Sequence, residues 1–331
     1  MYKTRPQIIA VVYGGYSSEW EISVQSGRSV AGWLRNAGKT VFEIMIARDG
    51  WHAVDRMPDG STATYPVNKD DFSFTVNGER VRCDKAFIVI HGDPGENGRL
   101  QAYFELIGMP YTGCSSLSTT LSFDKYACKT YLRDSGISMA PDIMLREDDT
   151  LDTATVVKTL GLPVFVKPTG GGSSFGVSKV KKVEELDAAM RTAFKESGTV
   201  IIEKAVTGRE IDCGVYSDST GIHALPLIEI IPRNEFFDYE AKYLGASREI
   251  CPAPVTDAEK ELIQSEAIKI FHRIGCRGLV RMDFMLGTDG KAYFIEINPN
   301  PGMTAASLVP QMVRQAGMSM EDFLSRIIDE N

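Results

Sequence analysis

No two cysteines stand at Cys-x-x-Cys spacing in this 331-residue sequence. The six that occur, Cys83, Cys114, Cys128, Cys213, Cys251 and Cys276, are scattered. Such spacing predicts reduced, mostly buried thiols of a cytoplasmic protein. No apolar run approaches membrane-spanning length. The first residues, Met1 to Pro6, carry no apolar signal-peptide core, so no leader and no membrane partner are expected. Internal repeats and low-complexity segments are absent. The Gly-x-Gly-x-x-Gly dinucleotide fingerprint is missing, which removes the oxidoreductase reading of the N-terminal Gly14-Gly15. A Walker A loop is missing too. Excess positive charge is lacking: net charge is -8, which argues against a broad nucleic-acid partner.

What is present is ordinary globular composition, 43% hydrophobic and 24% charged, at a length that suits two or three domains. The most informative stretch runs from Arg281 to Ser307. Two apolar runs flank Asp289-Gly290, a hairpin signal. Strand alternation puts Arg281 and Asp283 on one face of the first run, and Glu296 and Asn298 on one face of the second. Burying unpaired charge among Phe, Met, Ile and Val costs several kcal/mol. A cation would offset that cost. Asp283, Glu296 and Asn298 are hard oxygen donors suited to Mg²⁺, which is usually held by one or two carboxylates plus substrate phosphates. Arg281 either neutralises the carboxylates or stabilises charge on a reacting substrate.

The start of the chain predicts an α/β unit: strand 8–13, Gly14-Gly15, a helix opened by a Ser18-x-x-Glu21 capping box and closed near Gly38, then strand 40–47. Such units bind ligands at the C-terminal edge of their strands. Glu19 at the helix start either favours the helix dipole or holds a substrate ammonium. Asn77-Gly78 predicts a hairpin, and 86–90 a buried strand ending at His91-Gly92. That histidine is either structural or part of a site; His52, His223 and His272 carry no such context. Segment 111–116 reads as a crossover to a second domain, followed by a helix bearing Asp124, Lys125 and Lys129. Strand 162–168 then feeds Thr169-Gly170-Gly171-Gly172-Ser173-Ser174-Phe175-Gly176. A Gly/Ser loop between strands, with Lys167 before it, favours phosphate contact over a mobile turn. Residues 183–196 predict a helix and 199–203 a strand. Glu203-Lys204-Ala205-Val206, with Glu210 beyond, suits a purine and its ribose. Residues 224–230 predict one strand. Residues 232–250 read as an aromatic-rich lid. Helix 256–274 and two C-terminal helices, 307–316 and 320–328, complete the chain.

These blocks, in this order, resemble the ATP-grasp superfamily and, within it, the D-alanine–D-alanine ligase family. The motifs are Gly14-Gly15-x-Ser17-x-Glu19-x-Glu21-x-Ser23, His91-Gly92 with Gly95-Glu96-x-Gly98, and Gly172-Ser173-Ser174-x-Gly176. They continue with Tyr239-Glu240-Ala241-Lys242-Tyr243, Arg281-x-Asp283, and Glu296-x-Asn298 with Pro301-Gly302-Met303-Thr304 and Ser307-Leu308. The resemblance spans nearly the whole chain. It implies an α/β (α+β ATP-grasp) fold: an N-terminal open parallel α/β domain (1–113), a central subdomain with the phosphate loop (114–204) and a C-terminal subdomain with lid and metal site (205–331). The two subdomains would clasp ATP.

The implied reaction phosphorylates one D-alanine with ATP and lets a second D-alanine's amine displace phosphate, for peptidoglycan synthesis. The same resemblance implies two Mg²⁺ ions, replaceable by Mn²⁺, on Asp283, Glu296 and Asn298, and leaves room for a monovalent cation. Lys125, Lys167 and Lys242 would hold phosphates with Ser173 and Ser174, while Glu203, Lys204, Val206 and Glu210 would hold adenosine. Arg281 and the Gly302 N–H would form an oxyanion site. Glu19, with His91 nearby, would take the first ammonium; Ser307, Leu308 and Lys242 would take the second substrate. Glu19, Ser173 and Tyr243 would link the lid to the N-terminal domain. A homodimer is implied as well. Tyr243 favours an amine over D-lactate as second substrate. Ala205, Trp20 and Pro299-Asn300 depart from the family pattern. A catalytically dead regulator would not be expected to keep Asp283, Glu296, Asn298, Arg281 and Lys167 together.

Overall fold

The computed structural model describes residues 6–56, 61–150, 152–172, 174–232 and 247–330. Ser173, Lys242 and Tyr243, and the body of the expected lid at 233–246, lie outside the described residues.

The N-terminal sheet grows from strand β1 (Ile8–Gly14), which pairs in parallel with β2 (Thr40–Ile46). Helix α1 (Trp20–Asn36) crosses between them. Alternation along β1 sorts the core. Ile9, Val11 and Tyr13 pack with Val30, Ala31 and Leu34 of α1, whereas Ala10 and Val12 face Ile44 and Ile46 in a second cluster. Burial on both faces is what a parallel strand requires. The structure adds two strands that the sequence did not announce, β3 (Trp51–Arg56) and β4 (Thr62–Pro66), as an antiparallel edge. The expected hairpin at Asn77-Gly78 forms from β5 (Phe74–Val76) and β6 (Glu79–Val81). Strand β7 (Lys85–Ile88) lies on the other side of β1, helix α2 (Arg99–Ile107) follows, and β8 (Tyr111–Thr112) closes the edge. The sheet order is β4-β3-β2-β1-β7-β8.

The expected Ser18 capping box does not form. Glu19 occupies the N-cap without a side-chain cap bond. Ser17 does the local work instead: its Oγ accepts from the Glu19 N–H at 3.2 Å and donates to the His91 carbonyl at 2.7 Å. The turn is thus tied across to the end of β7 rather than back onto its own helix. The Gly38 stop is present, with φ +78 and its N–H donating to Arg35.

Helices α3 (Ser116–Phe123) and α4 (Lys125–Leu132) come next. The second sheet is antiparallel, in the order β11-β10-β12-β9. It comprises β9 (Asp142–Arg146), then helix α5 (Thr153–Leu160), β10 (Val164–Pro168), β11 (Ser178–Val180), helix α6 (Leu186–Phe194) and β12 (Thr199–Lys204). The glycine-rich segment bridges β10 and β11, as expected.

The third sheet centres on the long strand β13 (Gly208–Asp218). The single strand expected over 224–230 is two: β14 (Gly221–Ala224) folds back on β13, and β15 (Ile228–Pro232) pairs with β13 further along. Pro226 lies in the break, where its missing N–H disturbs no ladder. The ends of the expected lid are likewise strand, because β15 pairs with β16 (Ser247–Ile250). Helix α7 (Asp257–Ile274) starts with a complete capping box, Thr256 to Glu259. Strands β17 (Leu279–Gly287) and β18 (Ala292–Asn298) form the hairpin read from the sequence. Helices α8 (Leu308–Gln315) and α9 (Met320–Glu330) then return to the N-terminal core, where Met312, Phe323 and Ile327 join the Ile9 cluster. Side chains of α4 (Cys128, Leu132) belong to the core of the third sheet, with Ile270 and Phe294. No helix among the described residues is long and apolar enough to cross a membrane.

Candidate active site

Three antiparallel strands set the centre of the site. In register, Asp212 of β13 faces Asp283 of β17, which faces Glu296 of β18. One step along, Arg281 faces Asn298. The sequence reading of a shared polar face is therefore realised, with one extra carboxyl. Arg281 holds Asp283 through a fork, Nε to Oδ1 at 2.7 Å and NH2 to Oδ2 at 2.8 Å. Asn298 Nδ2 donates to Asp283 Oδ2 at 3.0 Å. Burial works against the Arg281 charge, yet Asp283, Asp212 and Glu296 raise its pKa well above the usual value.

Asp212 was missed by sequence reasoning. It is fully buried and its Oδ2 lies 3.2 Å from Arg281 Nε. That nitrogen points at Asp283, and neither Asp212 oxygen has a hydrogen-bond partner among the described residues. Burial, then the charge of Asp283, pushes the Asp212 carboxyl well above the carboxylate range. Extending the strand alternation from Glu210 would have put Asp212 on the same face.

Across from this sheet stands the phosphate-loop candidate. A cleft of about 120 Å³ is lined by Lys125, Lys167, Gly171, Gly172, Ser174, Glu210, Asp283 and Glu296, with Phe165, Met285 and Ile295 as apolar walls. Lys125 reaches both sides: its Nζ is 3.1 Å from Glu296 Oε2 and donates to the Gly171 carbonyl at 3.0 Å. Lys167 Nζ donates to Glu203 Oε2 at 2.6 Å. Burial would lower the Lys167 pKa, but Glu203 above all, with Glu296 and Glu210, leaves it raised. Burial would raise Glu203; Lys167 and Lys129 bring it down to about 2. Lys204, the last residue of β12, is exposed, and Val206, just beyond the strand, is half-buried. Ser174 takes φ +59, a left-handed turn in the loop.

The residues read as a substrate site sit at the N-terminal side. Glu19 is 6% exposed, and a Cβ built on Gly172 would come 2.9 Å from its Oε2, so the glycine admits the loop against this carboxylate. His91 is buried, with Nε2 3.5 Å from Ser26 Oγ. Burial lowers its pKa against the opposing pull of Glu19. Glu96 accepts from the Gly92 N–H at 2.7 Å; burial and Glu19 raise its carboxyl to about 8. Gly302 and Ser307 are neighbours, since a Cβ on Gly302 would meet Ser307 Oγ at 3.0 Å. Ser307 Oγ accepts from the Thr304 N–H at 3.0 Å. Leu308, the first residue of α8, is 8% exposed and packs its side chain into the hydrophobic core. Three bonds tie this loop to the region of the N-terminal sheet: Asn300 Nδ2 donates to the Gly95 carbonyl at 2.7 Å and the Ile90 carbonyl at 3.3 Å, and the Met303 N–H donates to Ser26 Oγ at 3.1 Å.

Asp283 and Glu296 are opposed across one rung, beside the two cleft lysines, and both are oxygen donors. They fit a hard divalent cation that takes its other oxygens from phosphates. In this state Arg281 and Lys125 balance their charge. No cluster of three or more His, Cys, Asp or Glu able to hold a metal occurs among the described residues.

Residues 8–114 match the family described as D-ala D-ala ligase N-terminus, and residues 131–329 match D-ala D-ala ligase C-terminus. The D-alanine–D-alanine ligase of Parabacteroides distasonis is 43% identical over 97% of this chain and 96% of its own. That of Flavobacterium johnsoniae is 41% identical over 97% and 98%. Among solved structures, the VanG D-Ala:D-Ser ligase of Enterococcus faecalis superposes with TM-score 0.88 at 30% identity, covering 98% of this chain and 99% of that one. The Bacillus anthracis D-alanine–D-alanine ligase complexed with ATP gives 0.78 at 28%, covering 98% and 97%. With two family matches that between them reach from residue 8 to residue 329, this chain belongs to the D-alanine–D-alanine ligase family.

Proposed function

We propose that the protein joins two D-alanines into D-alanyl-D-alanine with ATP, as a cytoplasmic step of peptidoglycan precursor synthesis. The observation that carries this reading is the cleft in which Lys125, Lys167 and the Gly171–Gly172 backbone face the Asp283–Glu296 pair. Lysines and loop N–H groups hold triphosphate oxygens; Glu203, Lys204, Val206 and Glu210 hold adenosine. Asp283, Glu296 and Asn298 would hold two Mg²⁺ ions, or Mn²⁺, whose chemistry is to neutralise phosphate charge while a carboxylate attacks. Glu19 and His91 orient the first D-alanine by its ammonium.

That substrate's carboxylate attacks the γ-phosphorus, giving an acyl phosphate and releasing ADP. The second D-alanine, held at Ser307, the Leu308 backbone and Lys242, attacks the acyl carbon as a free amine. Arg281 and the Gly302 N–H stabilise the oxyanion, and phosphate leaves. Ser173 and Tyr243 join Glu19 in linking the lid to the N-terminal domain. A monovalent cation and a homodimer complete the reading. The likeness to the VanG D-Ala:D-Ser ligase supports a second one, with D-serine as the second substrate. Dipeptide products formed from D-alanine alone and from D-alanine plus D-serine, identified by mass, separate the two.

A further inference from the structure

Helix α4 presents two lysines one turn apart. Lys125 faces the cleft. Lys129 is only 1% exposed and has no place in the chemistry above. Its Nζ lies 2.6 Å from Glu203 Oε1, 2.9 Å from Asp142 Oδ2 and 2.8 Å from the Ala140 carbonyl. The other Glu203 oxygen accepts from Lys167 at 2.6 Å. Asp142, Lys129, Glu203 and Lys167 therefore form an open chain of alternating acids and cations, and Arg133 NH2 lies 3.6 Å from Asp142 Oδ1 at its outer end. The helix that carries Lys129 is anchored to the same strand end as Lys167. Asp124 caps it, accepting from the Ala127 N–H at 2.8 Å and from Thr169 Oγ1 at 2.9 Å, and the Lys125 N–H donates to the Thr169 carbonyl at 2.8 Å.

A single carboxylate between two ammonium groups divides its attraction. If Lys129 were apolar, Glu203 would turn its whole charge on Lys167 and hold it back from the cleft. We propose that Lys129 is a positioning residue for nucleotide: by sharing Glu203 it leaves Lys167 free to meet the phosphates. This rests on the reading that Lys167 binds phosphate. It gives a buried lysine a function in affinity rather than in folding alone.

The test is binding of ATP with Mg²⁺, and of adenosine, to the full chain by calorimetry, without amino acid. Lys129→Met should weaken ATP on the order of tenfold, the size of one charged hydrogen bond, and leave adenosine within about twofold. In turnover, KM for ATP should rise while kcat at saturating ATP stays within about threefold. Because Lys129→Met leaves Asp142 with only the more distant Arg133, 3.6 Å away, Lys129→Met/Asp142→Asn serves as a second variant that restores the charge balance and should show the same ATP loss. Asp142→Asn alone should bind ATP as well as the parent or tighter, since Lys129 can then give more to Glu203. A folded double variant with parental ATP affinity overturns the proposal. Equal loss of ATP and adenosine also overturns it, because the effect would then run through the base. If the parent binds no ATP, both this proposal and the ligase reading fall; if it binds ATP without ligating, only the ligase reading does.

Discussion

Glu96→Gln probes the buried acid beside Glu19. The Glu96 carboxyl is 8% exposed and raised from 4.5 to about 8 by burial and by Glu19. An acid raised on folding keeps its proton in the native state and loses it on unfolding. Its contribution is therefore full below pH 4.5 and is lost as pH rises through 8. At about 1.4 kcal/mol per pH unit the full loss is roughly 5 kcal/mol, and sharing the proton with Glu19 brings it to about 2–5. Glutamine keeps an oxygen for the Gly92 N–H but cannot ionise. Thermal melting from pH 5 to 8 reads the difference, at about 1–2 °C per kcal/mol for a chain of this length. The variant should gain on the parent as pH rises, by about 3–7 °C at pH 8. A melting difference that stays flat across this range would refute the argument that Glu96 is held neutral by burial.

Asp283→Asn removes the carboxylate opposite Glu296, and Mn²⁺ affinity in the presence of ATP, followed by electron paramagnetic resonance, should fall on the order of tenfold or more. Gly98 sits at φ +83, where a Cβ would come 2.2 Å from Thr120 Oγ1 and 2.6 Å from the Ser116 carbonyl. Gly98→Ala should therefore destabilise by about 2–4 kcal/mol, seen as a drop of several degrees in Tm. Asn300→Ala removes the bonds to the Gly95 carbonyl at 2.7 Å and the Ile90 carbonyl at 3.3 Å, while Gln101 Nε2 still donates to Gly95 at 2.6 Å. About 1–3 kcal/mol of stability should be lost, and urea unfolding measures it. Asp212→Asn removes a fully buried carboxyl whose oxygens have no hydrogen-bond partner among the described residues. The melting temperature should hold, because burial and Asp283 already disfavour the charged carboxyl and the amide adds no charge.

Much of this architecture is readable from one chain because its signals are local. Asp289-Gly290 between apolar runs gives the β17–β18 hairpin, and alternation alone brings Asp283 opposite Glu296. The Gly/Ser stretch after Lys167 falls between strands for the same reason: only turn residues interrupt the apolar pattern there. Contacts made by partners far along the chain are hidden. Asp212 gains its meaning only from strand pairing with β17, some seventy residues away. Lys129 reads as one more helical lysine until β12 places Glu203 against it. Ser18 has the right spacing for a cap, yet Ser17 reaches across to His91 and the local rule loses to a tertiary bond. Strands β3 and β4 have mixed, half-exposed patterns, so their pairing decides them. The roles of Ser173, Lys242 and Tyr243 fall outside the described residues.

The most direct measurement is phosphate release by the purified protein with ATP and Mg²⁺, with and without D-alanine, coupled to mass identification of the product. The account predicts release that requires D-alanine, yields D-alanyl-D-alanine, and is not supported by L-alanine. ATP binding with no turnover in D-alanine, D-serine, D-lactate or their mixtures would contradict the ligase reading and leave a nucleotide-binding regulator in its place.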